Sequence, residues 1–260
     1  ESDLLALPFR LAAWGIGIRT PCAARVLCIG FLGGFAPAAS AAAQAVRTGQ
    51  LTAEEADALL PACICSGPSF VVLTVGQSLL GSAELGVLLF ASQITANYLT
   101  AALLNRFAGV RSVKPGSAAP ASPAPPRLDE ILADAAITYC KLCGFILFFR
   151  MLAAGAGALL PAGVGTLCSI LLEVCSGCDL ASRTGRWGSL LCCAALSVQG
   201  LSVLLQVRTI CPPEMTLRPL YRARMLHLPL SLALFYLLLP GGEADVFSTL
   251  PARVLLQARS

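Results

Sequence analysis

Long apolar runs constrain the fold of this chain more than any other feature of its sequence. The clearest one extends unbroken from about Leu85 to Phe107, and as a helix it is long enough to cross a bilayer. Of the 260 residues, 57% are hydrophobic and 12% are charged, and the mean hydropathy is +0.78. A soluble core of this size cannot bury so much apolar surface, and helices satisfy their backbone groups within lipid. The sequence therefore predicts an all-α, polytopic integral membrane helical bundle.

Charge and cysteine usage exclude several classes of function. The net charge of +4 is spread thinly without a basic run, so we expect no nucleic-acid partner. Most of the twelve cysteines lie in apolar runs, and the CxxC pairs Cys140/Cys143 and Cys175/Cys178 have one histidine, His227, in the whole chain to complete a metal site. We interpret the cysteines as packing residues and His227 as interfacial. We expect no metal, no cofactor and no enzymatic activity, since no nucleophile, base and orienting residue share one polar setting.

A Pro/Ala/Ser-rich stretch divides the chain into two parts. It predicts a linker over 111–127 between a first membrane half, 1–110, and a second, 128–245, with a C-terminal tail over 246–260. The chain begins at Glu1 rather than methionine and lacks a signal-peptide pattern there, so we expect that an N-terminal portion precedes it.

Each predicted half contains two apolar segments that are interrupted by glycine, serine or proline. The predicted breaks lie at 33–37, 66–69, 176–179 and 199–202. A half-helix of ~10 residues rises only ~15 Å, so such breaks place helix ends near the middle of the bilayer. Paired breaks in two related halves are typical of the binding sites of transporters. The alternative interpretation is a set of kinks that serve helix packing alone.

The breaks supply the candidate solute-binding residues. The stretches "SGPSFVVLTV" and "QGLSVLLQV" share glycine, any residue and serine before an apolar helix, and they align Gly67 with Gly200 and Ser69 with Ser202. The N–H groups that follow a break carry the positive end of the helix dipole, and a glycine lets a solute approach the backbone. Because no Lys or Arg adjoins these breaks in sequence, we expect backbone and hydroxyl donors to bind a polar or anionic solute. The candidate residues are Ser66, Gly67, Ser69, Gly200, Ser202, Asn97 and Gln199.

Glu173 is the ionisable residue that stands out within the apolar spans, in "CSILLEVCSG". An ionisable group within a bilayer costs several kcal/mol unless it is paired or protonated, so it is a functional candidate. We expect Glu173 to carry a coupled proton. The alternative is a structural carboxyl group that hydrogen-bonds unwound backbone at the break.

Two polar segments are expected at the membrane surface. Thr52 followed by Glu55 predicts a capping box that opens a short helix with solvated charges. A later loop is rich in arginine, and together with the linker it is expected on the cytoplasmic side. The arginines of that loop are Arg208, Arg218, Arg222 and Arg224.

The stretch "GFLGGFAPAASAAAQAVRTGQLTAEEADALLPACICSGPSFVVLTVG", from Gly30 to Gly76, resembles a known family. It is similar to the core of the sporulation integral membrane protein YlbJ family, also called stage V sporulation protein SpoVV. This family belongs to the nucleoside-recognition, or Gate-domain, membrane proteins. The later stretches "LLEVCSG" and "ALSVQGLSVLLQV" resemble its second half.

The resemblance implies a sporulation protein of the outer forespore membrane in an endospore-forming bacterium. It implies transport of dipicolinate from the mother cell into the forespore. Two alternatives remain open, namely a transporter for a nucleoside-type solute and a membrane scaffold or assembly factor that transports nothing.

Overall fold

The structure, a computed structural model, describes residues 7–109 and 128–239, and within these ranges its regular elements are helical. The first range contains α1 (Leu7–Gly15), α2 (Pro21–Gly33), α3 (Phe35–Arg47), α4 (Ala53–Cys63), a π-helix (Ser69–Leu79) and α5 (Ala83–Ala108). The second contains α6 (Leu128–Leu159), α7 (Ala162–Leu172), α8 (Val174–Ser182), a 3₁₀ turn (Gly185–Trp187), α9 (Gly188–Val198), α10 (Gly200–Ile210) and α11 (Arg218–Leu238). The all-α prediction is confirmed for these ranges. The predicted linker, 111–127, and tail, 246–260, lie outside the described residues.

Three stretches of the described chain are long and apolar enough to cross a membrane. They are Ala83–Ala108, Ala135–Leu159 and Gly185–Ile210. The second of them, within α6, exposes large apolar side chains such as Leu147, Phe148 and Met151. Such a surface is stable in lipid, so the structure is compatible with an integral membrane protein.

Three of the four predicted breaks are found close to their expected positions. The first break is Gly34, which has φ of +83° and both ends α2 and starts α3. The second break is the non-helical segment 64–67 between α4 and the π-helix. The fourth break is formed by Gln199 and Gly200, with φ of +61° and +68°. Such φ values suit glycine, so Gln199 is held in a conformation that is uncommon for its residue type.

The third break is not where the sequence placed it. Residues 176–179 lie inside α8, and the chain is extended instead at Glu173, with φ of −150° and ψ of +126°. Ser176 belongs to the first turn of α8, whose N–H groups are bound by the Glu173 side chain. Gly177 lets two helices approach, because a Cβ atom there would lie 2.8 Å from the Cα atom of Ile170 in α7. The glycine therefore serves packing rather than interruption.

The breaks contact each other in pairs. A Cβ atom on Gly34 would lie 2.8 Å from the backbone nitrogen of Gly67, so the first and second breaks touch through their backbones. A Cβ atom on Gly200 would lie 2.9 Å from the backbone nitrogen of Glu173, so the third and fourth breaks touch in the same way. Only glycine fits at Gly34 and Gly200 without displacing backbone.

The predicted capping box is confirmed at α4. The Thr52 hydroxyl accepts from the Glu55 N–H at 3.1 Å, and a Glu55 carboxylate oxygen accepts from the Thr52 N–H at 3.1 Å. The expectation that the charges of this segment are solvated holds for the exposed Glu54 and is wrong for Glu55 and Asp57. Glu55 is buried and accepts from the Thr20 hydroxyl at 2.6 Å, and Asp57 is buried and accepts from the Thr216 N–H at 2.8 Å. These carboxylates tie α4 to the chain segments that precede α2 and α11.

Candidate functional site

Six buried polar side chains form what we call the central polar cluster, at the meeting point of α5, α9 and α11. Each of them is at most 8% exposed, so the cluster is closed to solvent in this conformation. Two come from α5, one from α9 and three from α11. The members are Gln93, Asn97, Ser197, Arg224, His227 and Ser231.

Arg224 connects two of the breaks. Its Nη2 donates to the carbonyl oxygen of Ile64 in the second break at 2.6 Å, and its Nη1 donates to the carbonyl oxygen of Ser197 at 3.4 Å. Ile64 follows the C-terminus of α4, and Ser197 lies in the last turn of α9, just before the fourth break. The guanidinium group is therefore at the negative dipole ends of two helices, which favour a cation.

Two amide side chains of α5 extend this network. Gln93 Nε2 donates to the Ser197 hydroxyl at 3.0 Å, and the backbone oxygen of Gln93 lies 3.2 Å from His227 Nε2. Asn97 Nδ2 donates to the Ile64 carbonyl at 3.4 Å, beside the Arg224 bond to the same oxygen. Helix α5 thus contacts the second break through Asn97 and the end of α9 through Gln93.

The serine hydroxyls complete the cluster. Ser197 and Ser231 are hydrogen-bonded to each other, and Ser197 also donates to the Cys193 carbonyl at 2.7 Å. The same two helices, α9 and α11, are joined by the bond from Arg224 to the Ser197 backbone. The cluster therefore holds α11 against α9 at the fourth break.

Several buried polar atoms in and around the cluster have no hydrogen-bond partner. A buried donor or acceptor without a partner costs about 1–3 kcal/mol, which a bound solute would offset. The atoms are Asn97 Oδ1, Thr100 Oγ1, Gln199 Oε1, Arg224 Nε and His227 Nδ1.

The candidate residues of the second break are separated by the structure. Ser66 is buried in the break, whereas Ser69 is exposed at the start of the π-helix, on the same outward face as Leu73. Gly67 faces the first break, since a Cβ atom there would lie 3.6 Å from the carbonyl group of Gly33. The space that we predicted for a solute next to Gly67 is thus occupied by backbone.

The candidate residues of the fourth break are more deeply buried in the protein than those of the second break. Gln199 is buried, and its side-chain oxygen has no partner. Gly200 packs on the third break, and the buried Ser202 hydroxyl accepts from Gln206 Nε2 at 2.8 Å within α10. Of the predicted set, Asn97 belongs to the central polar cluster, and Gln199 lies two residues after its member Ser197 along the chain.

Glu173 forms a helix cap in this structure. The side chain is 1% exposed, and its two oxygens accept from the N–H groups of Cys175 at 2.8 Å and Ser176 at 2.7 Å. Charge-assisted bonds of this kind, at the positive end of the α8 dipole, account for a buried carboxyl group. The structure thus shows the hydrogen bonds expected if Glu173 is a structural carboxyl group that caps a helix at the break. Its role in proton coupling stays a prediction.

Sequence reasoning missed Arg224 and His227. We placed Arg224 in a cytoplasmic arginine-rich loop and His227 at an interface, but both are buried in α11, and Arg224 adjoins two breaks. Adjacency along the chain concealed this, because the breaks that Arg224 contacts lie 160 and 27 residues away. A helical spacing of three or four residues, running from Leu220 through both residues to Phe235, would have placed them on the inward face.

The described residues contain no group of three His, Cys, Asp or Glu side chains that could hold a metal ion. All twelve cysteines are free thiols.

Within residues 7–109 and 128–239, the fold and the site define an all-helical protein with three helical stretches that are long and apolar enough to cross a membrane. A closed polar cluster lies where interrupted helices meet. No family model matches the chain, and comparisons with curated proteins and with solved structures found no significant match. The resemblance to the YlbJ family accordingly stays a hypothesis based on the quoted stretches.

Proposed function

We propose that this chain is a membrane transporter for a small polar or anionic solute, which binds at the central polar cluster. The observation that carries the proposal is the unbroken series of contacts through all four breaks. Gly34 meets Gly67, Arg224 joins the second break to the end of α9, and Gly200 meets Glu173. The solute implied by the resemblance, dipicolinate moved into the forespore across its outer membrane, is part of this proposal.

The energetic argument rests on the cost of polar groups in an apolar protein. Polar and ionisable side chains inside a membrane bundle are expensive, and those that persist commonly mark a solute pathway. Here six such side chains gather beside the ends of α4 and α9, where the carbonyls of Ile64 and Ser197 accept from Arg224. Helix packing alone would be served as well by apolar or small residues.

The order of the elements supports two related halves. In each described range, two interrupted segments are followed by a long helix, α5 in the first and α11 in the second. These two helices supply every member of the central polar cluster except Ser197. We propose that the halves are structural repeats and that the cluster lies on their shared boundary, where transporters commonly bind solute.

A nucleoside-type solute is the second candidate. Nucleobases are recognised by paired donors and acceptors, and the Asn97 amide presents an oxygen that has no partner. A neutral solute of this kind would use the amides of α5 rather than a charged group.

Uptake into proteoliposomes tests the proposal. We expect saturable uptake of dipicolinate, measured beside uridine, acetate and sulfate and against protein-free liposomes. Asn97→Ala should raise KM several-fold. Asn105→Ala is the matched control, because Asn105 is also a buried amide of α5 that donates to carbonyls, at 2.9 and 3.1 Å, but outside the cluster. Absence of uptake above protein-free liposomes for every solute would refute the transporter.

A further inference from the structure

The charge of Arg224 has no counter-charge in the described residues. No carboxylate lies within ion-pair distance, and the two groups that accept from the guanidinium are neutral backbone carbonyls. The thiols of Cys63 and Cys65 are titratable groups that interact electrostatically with Arg224. Arg224 Nε has no hydrogen-bond partner, and only 8% of the residue is exposed to solvent.

Other arginines of the chain are arranged differently. Arg183 pairs with Asp179 at 2.9 Å on the surface. Arg208 also donates to a carbonyl, that of Met215 at 2.6 Å, but it is only partly buried and lies next to a loop. Burying the Arg224 cation without a carboxylate costs far more free energy than either of these arrangements, because only the dipoles of the backbone carbonyls offset its desolvation. Arg224 is therefore the group in the cluster that would gain most from an anion.

We propose that Arg224 binds the anionic group of the solute, and that this group replaces the carbonyls of Ile64 and Ser197 on the guanidinium. This inference rests on the proposed function. It identifies Arg224 as the residue that recognises the charge of the solute, and it identifies the two Arg224 hydrogen bonds that solute binding breaks. A carboxylate can accept parallel N–H bonds from Nη1 and Nη2 in place of the two carbonyls. The N–H of Nε, which has no partner in the structure, can donate to a second acceptor of the solute.

The exchange would loosen the boundary between the second and fourth breaks. The Ile64 carbonyl belongs to a non-helical segment, and the Ser197 carbonyl lies two residues before the left-handed Gln199, so both can move without melting a helix interior. While no solute is bound, the two bonds from Arg224 hold α11 to both breaks and keep the cluster closed. Solute binding and opening are then linked through one side chain.

Transport kinetics in proteoliposomes test the binding role. With dipicolinate as the probe, Arg224→Gln should raise KM about 10- to 100-fold, the loss expected for hydrogen bonds to a charged group. Arg224→Lys keeps the charge but loses the planar fork, so it should raise KM about 10-fold, and it serves as the test if the glutamine variant does not fold. Arg208→Gln, which loses a similar carbonyl bond, should leave KM unchanged. A KM within twofold of wild type in both Arg224 variants would overturn the inference.

Thiol labelling tests the closing role without relying on transport. Cys65 adjoins Ile64 and is buried, so its rate of reaction with N-ethylmaleimide, followed by peptide mass spectrometry, reports opening of the second break. We expect fast labelling in Arg224→Gln, slow labelling in wild type and Arg208→Gln, and an increase in wild type when dipicolinate is added. Equal rates in wild type and folded Arg224→Gln would overturn the closing role. Wild-type protein that transports none of the solutes would refute the proposed function, whatever the labelling shows.

Discussion

Replacing Glu173 by glutamine separates the two interpretations of this buried carboxyl group. The change keeps the shape of the side chain but turns one of its two accepting oxygens into an NH₂ donor. In the structure both oxygens accept from N–H groups, those of Cys175 and Ser176 at the start of α8. One of these N–H groups would face a donor in the variant and lose its partner.

The expected loss of stability follows from these contacts. A buried donor left without a partner costs about 1–3 kcal/mol, and the remaining bond is weaker because its acceptor is neutral. We expect Glu173→Gln to lower the free energy of unfolding by about 1–3 kcal/mol, or roughly 2–4 °C in Tm for each kcal/mol. Glu84→Gln makes the same chemical change at an exposed site in the first turn of α5 and should stay within about 0.5 kcal/mol.

Thermal unfolding in detergent and uptake at several external pH values form the assay. The capping role predicts a lower Tm and an uptake rate that keeps its pH dependence. The coupling role predicts in addition that uptake no longer responds to a pH gradient. A Tm for Glu173→Gln equal to that of Glu84→Gln would refute the capping argument, and an unchanged pH response would refute proton coupling by this residue.

Two further predictions concern the breaks. Gly200→Ala should destabilise the protein by about 2–5 kcal/mol in thermal unfolding, because it combines left-handed strain with a Cβ atom 2.9 Å from the Glu173 nitrogen. Gly185→Ala, where φ is +63° but nothing lies within 4 Å, isolates the strain at about 1–2 kcal/mol, and equal losses would contradict the close packing of the third and fourth breaks. Ser69→Ala should leave the KM for dipicolinate unchanged since Ser69 is exposed, whereas Ser66→Ala, at the buried part of the same break, should raise it. The reverse order would show that the outward face of the π-helix binds the solute.

Local features of the chain were predictable from its sequence. Helical structure follows from apolar runs whose backbone must be satisfied internally, and the capping box at Thr52 follows from side-chain chemistry within four residues. The breaks at Gly34, at 64–67 and at Gln199 were predicted because glycine, proline and serine weaken a helix wherever it packs. The third break was misplaced because Gly177 is the more obvious helix breaker. In the folded protein, however, the Glu173 side chain caps α8 four residues before Gly177.

Contacts between distant segments were decided by tertiary structure alone. Nothing near Arg224 in the sequence indicates that its partners are the carbonyls of Ile64 and Ser197. The several arginines of this segment predicted a loop at the membrane surface instead. Folding brings the ends of α4 and α9 to one point, and two converging negative dipoles then stabilise a buried cation that neither end would hold alone. Sequence determines which segments become helices and where they weaken, because those preferences are local. The position of a charge within the interior depends on which helix ends the packing brings together.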